Sequence, residues 1–383
     1  MPSLNWAMVH RLRAYALPFI FAVLCIVPAL QAQKIEITKL ADGTTLIHNP
    51  KLPVPQPGGP TRLLLKQDMI VGKRPGGGGP LIAQLRSVGV DEQENIWTLD
   101  WQDNKIRIFD KGGQLINTFG KKGQGPKELQ NPSRMAVSGD GKALILDLNK
   151  IAFYRADGEC IKEILLAKAK GNHSRLKVDG LGFIYMDGFE ISSSRQEILS
   201  VAKYDADLNP ITTLGTYQET INLSSPNPLM PMMYFHATRD GRLFWLVTAQ
   251  YEFHLNSAEG KPIARITKDY SVKKITADEQ TKLIKDRYGN TPPSIQFKFP
   301  EAYPPVQYFV GDDEGRLYVG TYERNEKDEL LFDVFDTEGR YIARFSLPQD
   351  ENLFVVKKGK LYTLIQEDED GDPVVKRYTM EWK

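Results

Sequence analysis

Internal repetition is the feature that most constrains this 383-residue chain. Val88 to Asp100 alternates β-forming residues on either side of a polar segment, the pattern of two strands joined by a tight turn. The same shape returns in Met135 to Asp147, Leu176 to Met186, Phe235 to Leu246 and Phe309 to Val319, and more weakly in Leu353 to Leu364. Second hairpins follow, turning at Asp110 to Gly113, Arg155 to Gly158, Asp205 to Asn209, Asn256 to Gly260 and Asp336 to Gly339. Four strands recurring about every 45 residues make a unit too thin to bury its own faces, so each must pack between two neighbours. The pattern predicts an all-β six-bladed β-propeller.

The last unit is one strand short, because the chain stops at Lys383 soon after the segment Val374 to Met380. Thr61 to Gly72, ahead of the first full unit, is an orphan strand resembling the outermost strand of the others. Pairing the two fragments closes the ring and leaves no open edge. This divides the chain into 1–32, a 33–60 N-terminal extension and a 61–383 propeller. Between the fourth and fifth blades, Thr276-Ala277-Asp278-Glu279 is a capping box that opens a short helical insertion running to Tyr288.

Asn95 to Asp100, Lys105 to Asp110 and Phe119 to Pro132 together resemble one NHL repeat read end to end. Two departures stand out: Asp103-Asn104-Lys105 occupies the place where that family often has Asn-His-Arg, and Lys127 the place where Gly is usual. The close match covers residues 86 to 137, and a weaker pattern runs on to Lys383. Ile47-His48-Asn49-Pro50 and Phe299 to Pro305 also resemble features of a family of secreted bacterial six-bladed propellers. That resemblance implies the fold and export but no particular reaction, since the family has no common assigned one.

His10, Arg11 and Arg13 precede an uncharged apolar stretch from Ala14 to Leu30, and Ala32 supplies the small residue that a signal peptidase requires. Residues 1–32 are therefore read as a signal peptide that directs the chain to the periplasm or the extracellular space. The alternatives are an uncleaved anchor, against which two prolines and the short length count, and a lipid anchor at Cys25, against which Leu24 counts. Cleavage removes two arginines and no acid, moving the formal net charge from +1 to −1. So balanced a surface offers no field for nucleic acid, and no membrane span remains after cleavage. Cys160 is then a lone thiol, so stability must come from a buried core and not from disulfides. The chain is read as a monomer.

Short turns fall within each repeat and long connections between repeats, so the long loops share one face of the ring: Lys73 to Gln84, Lys121 to Pro132, Tyr217 to Met232 and Lys268 to Pro305. Aligning the repeats on their first turn sets Ser87, Arg134, Arg175, Tyr234 and Tyr308 at the rim of that face, with Arg86 and His236 close by. Arginine forks suit carboxylate or phosphate, and tyrosines offer a stacking face with a polar tip. Arg86, Arg134, Arg175, Tyr234, His236 and Tyr308 are the candidate ligand-binding residues, and Arg134, Arg175, Tyr234 and Tyr308 are expected to share a common pocket under the helix. The competing view is that the arginines only pair with acids of neighbouring blades.

Sequence signals for catalysis are sparse. The mature chain has four histidines, His48, His173, His236 and His254, without zinc-type spacing. Asp368 to Asp372 resembles a calcium loop but lacks the downstream glutamate and falls at a hairpin turn. No serine elbow, phosphate loop or dinucleotide fingerprint is present, and neither a metal nor a cofactor is expected. The chain is read as a binding module for an unidentified protein, a carbohydrate or a small anionic ligand. The alternative is a hydrolase or lyase working at the channel mouth, for which a lowered titration at His173 or His236 would speak.

Overall fold

The computed structural model describes residues 34–55, 59, 62–74, 76, 80–169, 171–220, 225–289 and 295–383. The segment read as a signal peptide, with Cys25, lies outside the described residues, as do Gly77 to Gly79.

Six antiparallel four-stranded units form among the described residues. Blade 1 comprises Leu85–Val90, Ile96–Asp100, Lys105–Phe109 and Leu115–Phe119, from the innermost strand outward. Blades 2 to 5 repeat the order with inner strands Arg134–Val137, Leu176–Val178, Met233–Ala237 and Tyr308–Gly311. Blade 6 joins Asn352–Lys357, Lys360–Ile365 and Val374–Trp382 to the early strand Leu63–Val71, which pairs antiparallel with Val374–Trp382. The inner strands touch one another in cyclic order, closing the ring around a central channel. The core follows from this geometry. Six apolar clusters sit at the six blade-to-blade interfaces, as where Trp97, Leu99 and Ile108 of blade 1 meet Met135, Ile145 and Tyr154 of blade 2.

Two recurring aspartates explain why the repeats read so clearly. At the first turn, Asp91, Asp179 and Asp312 each accept backbone N–H groups of their own turn through one oxygen. The other oxygen holds the buried aromatic six residues on: Trp97 Nε1 donates at 3.1 Å, Tyr185 Oη at 2.9 Å and Tyr318 Oη at 2.9 Å. On the second strand, Asp100, Asp147 and Asp187 each accept two consecutive backbone N–H groups of the segment leading into the inner strand. These contacts satisfy groups that a tight turn and a descending loop would otherwise bury unpaired.

The 33–60 extension is partly built into the ring. Thr45–Asn49 pairs parallel with Pro262–Lys268, the outer strand of blade 4, and Glu36–Lys39 pairs antiparallel outside it, making that sheet six-stranded. Asn49 is fully buried: its Nδ2 donates to the carbonyls of Thr267 at 3.1 Å and Gly339 at 2.9 Å, and its Oδ1 accepts from Tyr341 N at 2.8 Å. The same interface holds the buried Asp333, which accepts from Tyr251 Oη, Tyr341 Oη and Arg344 Nε, each at 2.7 Å. Burial opposes its charge, but Lys268 and Arg344 outweigh burial and hold the carboxyl below its ordinary range.

The helix Ala277–Tyr288 stands between blades 4 and 5, with both halves of the capping box formed: Thr276 N donates to Glu279 Oε2 at 3.0 Å and Glu279 N to Thr276 Oγ1 at 3.3 Å. None of its residues is buried; it is held by Arg287, which donates to the Pro228 carbonyl, and by the tilted packing of the Tyr288 ring against Phe297. Among the described residues no helix is long and apolar enough to cross a membrane. Cys160 is buried and unpaired by any disulfide.

Candidate functional site

Alternate residues of a strand face the same side, so every second residue of an inner strand faces the channel. Three arginines converge on its long-loop end. Arg134, first in its strand, donates from Nε to the Ser174 carbonyl at 3.0 Å and from Nη1 to the Arg86 carbonyl at 3.4 Å, touching blades 3 and 1 at once. Its proton is held less tightly than usual because of burial and then of Arg175 and Arg86 nearby. Arg175 lies over Tyr234, its Cζ 3.9 Å from the ring centre, and its Nη1 reaches Asp187 Oδ2 at 3.3 Å and Ser174 Oγ at 3.0 Å. Arg86 is exposed beside the Trp101 ring.

Ser87, which alignment places at the rim, is instead buried and tied to Met135, accepting from its N–H at 3.2 Å. A bulge between Leu85 and Ser87 is the cause, since it inserts Arg86 as the extra residue and turns it toward the rim. Tyr234 and Tyr308 continue the wall with ring centres 6.2 Å apart. The Tyr308 hydroxyl is already engaged, accepting from Leu353 N at 3.0 Å across to blade 6.

Two residues inward from Arg175 and Tyr234 come Lys177 and His236. Lys177 has its pKa lowered to about 8 by burial and by the charges of Arg134 and Arg175. His236 is lowered to about 3 by burial and then by Lys177, so its ring is neutral at physiological pH, and its enclosed Nε2 meets no hydrogen-bond partner among the described residues. Gly311 permits this placement: a Cβ there would lie 2.2 Å from the His236 ring. Both side chains line a channel cavity of about 180 Å³ toward the short-turn end. There Glu92 of blade 1 meets Arg239 of blade 4 at 2.8 Å and Lys357 of blade 6 at 3.0 Å, a bridge across the ring. Burial works against its ionisation, but Lys357 and Arg239 bring the Glu92 carboxyl down to about 2.

The helix lies between the outer strand of blade 4 and the inner strand of blade 5 in the chain. Its C-terminal end stands on the blade 4–5 side, where Arg287 is within electrostatic reach of Tyr322 and Tyr322 of Tyr234. A pocket of about 280 Å³ opens beside the mouth, lined in part by Met230, Met232 and Met233 and sharing Arg175 and Asp187 with it. His173 and Glu197 line that pocket. Lys177 was legible by extending the alternation one step past Arg175, whereas Glu197 carries no local signal because a loop remote in sequence buries it. The other two histidines serve elsewhere: His254 stacks on Trp245 at 4.0 Å, and His48 Nδ1 meets Thr267 Oγ1 at 3.0 Å. Asp368 accepts the N–H groups of Asp370 and Asp372 as a hairpin turn, and Lys73 lies 2.6 Å from both Asp368 and Asp370.

Fold and site define a six-bladed β-propeller with a cationic mouth on its loop-rich face. The chain belongs to the 6-bladed beta-propeller family DUF5128, whose model matches residues 81–285. No curated protein matches it by sequence. Among solved structures it is similar to a Bacteroides fragilis protein named as a candidate exported protein, with 13% identity, a TM-score of 0.55, and 88% of this chain and 99% of that one covered. It is also similar to a member of the duf4221 family from Bacteroides vulgatus, with 13% identity, a TM-score of 0.54, and 84% and 99% covered. Identities this low show a shared fold and nothing about activity.

Proposed function

We propose that this protein, outside the cytoplasm, binds a small anionic ligand at the long-loop mouth of its channel. One observation carries the reading: Arg86, Arg134 and Arg175 crowd one rim, and Arg134 makes its hydrogen bonds to backbone carbonyls, with no carboxylate hydrogen-bonded to it among the described residues. Cations that raise one another's energy are relieved by an anion, and guanidinium forks match carboxylate or phosphate. The apolar N-terminal stretch after His10, Arg11 and Arg13 supports export.

Calorimetric titration with acetate, phosphate and glucuronate, with glucose as the neutral control, tests this. Arg134→Ala should weaken anion binding about tenfold or more, the loss of a charge-assisted contact of ~1.5–3 kcal/mol, and leave folding nearly intact. Affinity should also fall as salt is raised. If Arg134→Ala and Arg175→Ala lower the melting temperature and leave anion affinity unchanged, the arginines are structural and the reading fails.

A second reading is favoured by His236, a neutral imidazole next to Lys177 whose enclosed Nε2 has no hydrogen-bond partner among the described residues; burial and the neighbouring arginines lower the Lys177 pKa to about 8. Such a pair could move a proton in a hydrolase or lyase. In that case His236→Asn would abolish turnover of a bound anion and spare its affinity.

A further inference from the structure

The pocket beside the mouth holds two groups that the fold leaves unanswered. His173 Nε2 and Glu197 Oε1 are both enclosed and have no hydrogen-bond partner among the described residues, and both residues line this one cavity. Buried polar atoms in folded proteins almost always have partners, so two orphans in one cavity mark a place where a partner is supplied from outside. The surrounding walls are apolar, from Phe189, Leu199, Met230, Met232 and Met233. A mostly apolar cavity with a few convergent polar atoms is the usual form of a small-molecule site.

The chemistry of the missing group can be read from its two would-be partners. His173 Nδ1 contacts the Asp187 carbonyl oxygen, which can only accept, so Nδ1 carries the proton and Nε2 offers a lone pair. Glu197 is 2% exposed, and burial followed by the nearby Glu219 carboxylate raises its pKa to about 6, so it takes up a proton more readily than a free carboxyl. A hydroxyl suits either group: it donates its one proton to Nε2 or to the ionised carboxylate, and its oxygen accepts from the carboxyl when that is protonated. The 280 Å³ cavity has space for about nine water-sized groups of ~30 Å³ each. Its inner wall is the Arg175–Asp187 pair at 3.3 Å, with Arg175 also stacked on Tyr234 at the mouth.

We infer that this pocket is a subsite for the uncharged end of the anion held by the arginines, and that the ligand is an organic carboxylate with a hydroxyl-bearing apolar group of about the size of a phenol. The inference rests on the anion-binding reading of the mouth. The roof is secured by the insertion between blades 4 and 5: Arg287 donates to the Pro228 carbonyl, Ser225 Oγ to the Gln296 carbonyl at 2.9 Å, and Lys298 N to the Pro226 carbonyl at 3.1 Å.

The test compares propionate, 3-phenylpropionate and 3-(4-hydroxyphenyl)propionate by calorimetry on the full chain. The hydroxyphenyl compound should bind about tenfold or more tightly than propionate, and more tightly than the phenyl compound. Met230→Trp, which fills the pocket from its half-buried roof, should erase that advantage and leave propionate affinity unchanged, with Met232→Trp as the second variant should the first fold poorly. Glu197→Gln should narrow the gap between the hydroxyphenyl and phenyl compounds. Equal binding of all three compounds, or an advantage that survives both tryptophan variants, overturns the subsite and leaves the arginine reading standing. Equal binding of the two ring compounds overturns the hydroxyl assignment. If no carboxylate binds, or binding ignores Arg134→Ala, the arginine reading fails and the subsite falls with it.

Discussion

Glu197 occupies the third strand of blade 3, Gln196–Tyr204, directly opposite Glu219 on the fourth, and it is buried where its partner strand residue is half-buried. A buried carboxyl facing a second carboxyl resists ionisation, which is why its pKa rises from 4.5 to about 6. A pKa raised by folding means that the folded chain binds this proton more tightly than the unfolded one. The associated stability is fully present below about pH 4.5 and is lost as pH rises through about 6, a change of about 2 kcal/mol. Glu197→Gln should therefore flatten the stability profile between pH 5 and 8 and gain most, relative to the parent, at the alkaline end. Urea denaturation at several pH values checks this, and an unchanged profile would mean that Glu197 ionises freely. The turn aspartates explain why the repeats were legible in sequence: in Asp91, Asp179 and Asp312 one side chain both closes a turn and anchors an aromatic six residues on, which fixes the length of the hairpin.

Among the elements, the hairpin Glu36–Lys39 and Thr45–Asn49 departs furthest from expectation. Parallel pairing to an outer strand leaves little trace in sequence, because its partner Pro262–Lys268 lies more than two hundred residues away and no turn chemistry links the two. Asn49 is the fastener, with three hydrogen bonds joining blades 4 and 5 from a fully buried position. Asn49→Ala should cost about 2 kcal/mol, because it strands the Tyr341 N–H and two carbonyls. Removing residues 33–49 should add association of copies through the uncovered edge of blade 4. Chemical denaturation and size-exclusion chromatography read the two effects separately. The helix, by contrast, was legible to the residue at its start, since the capping box is purely local.

The ring as a whole depends on chain ends that meet in blade 6. Leu63–Val71 covers Val374–Trp382, and Arg377 ties the pair with its Nε 2.8 Å from Asp68 Oδ1. A chain lacking residues 62–72 should lose cooperative unfolding and associate through the exposed edge, as seen in a broadened denaturation transition and in light scattering. An unchanged sharp transition in a monomeric truncated chain would show that closure is dispensable.

The sequence by itself determined the blade count, the order of strands, the closure between the two ends and the place of the helix. Each of these is written in local alternation, turn chemistry and repetition, which a single strand or turn carries within itself. Tertiary structure alone decided which rim residues act together. The bulge that exchanges Ser87 for Arg86, the crowding of Arg86, Arg134 and Arg175, and the meeting of Met230, His173 and Glu197 around one pocket are all settled by the folded chain. The physical reason is that a site on a propeller belongs to the seams between blades. No repeat read alone contains a seam.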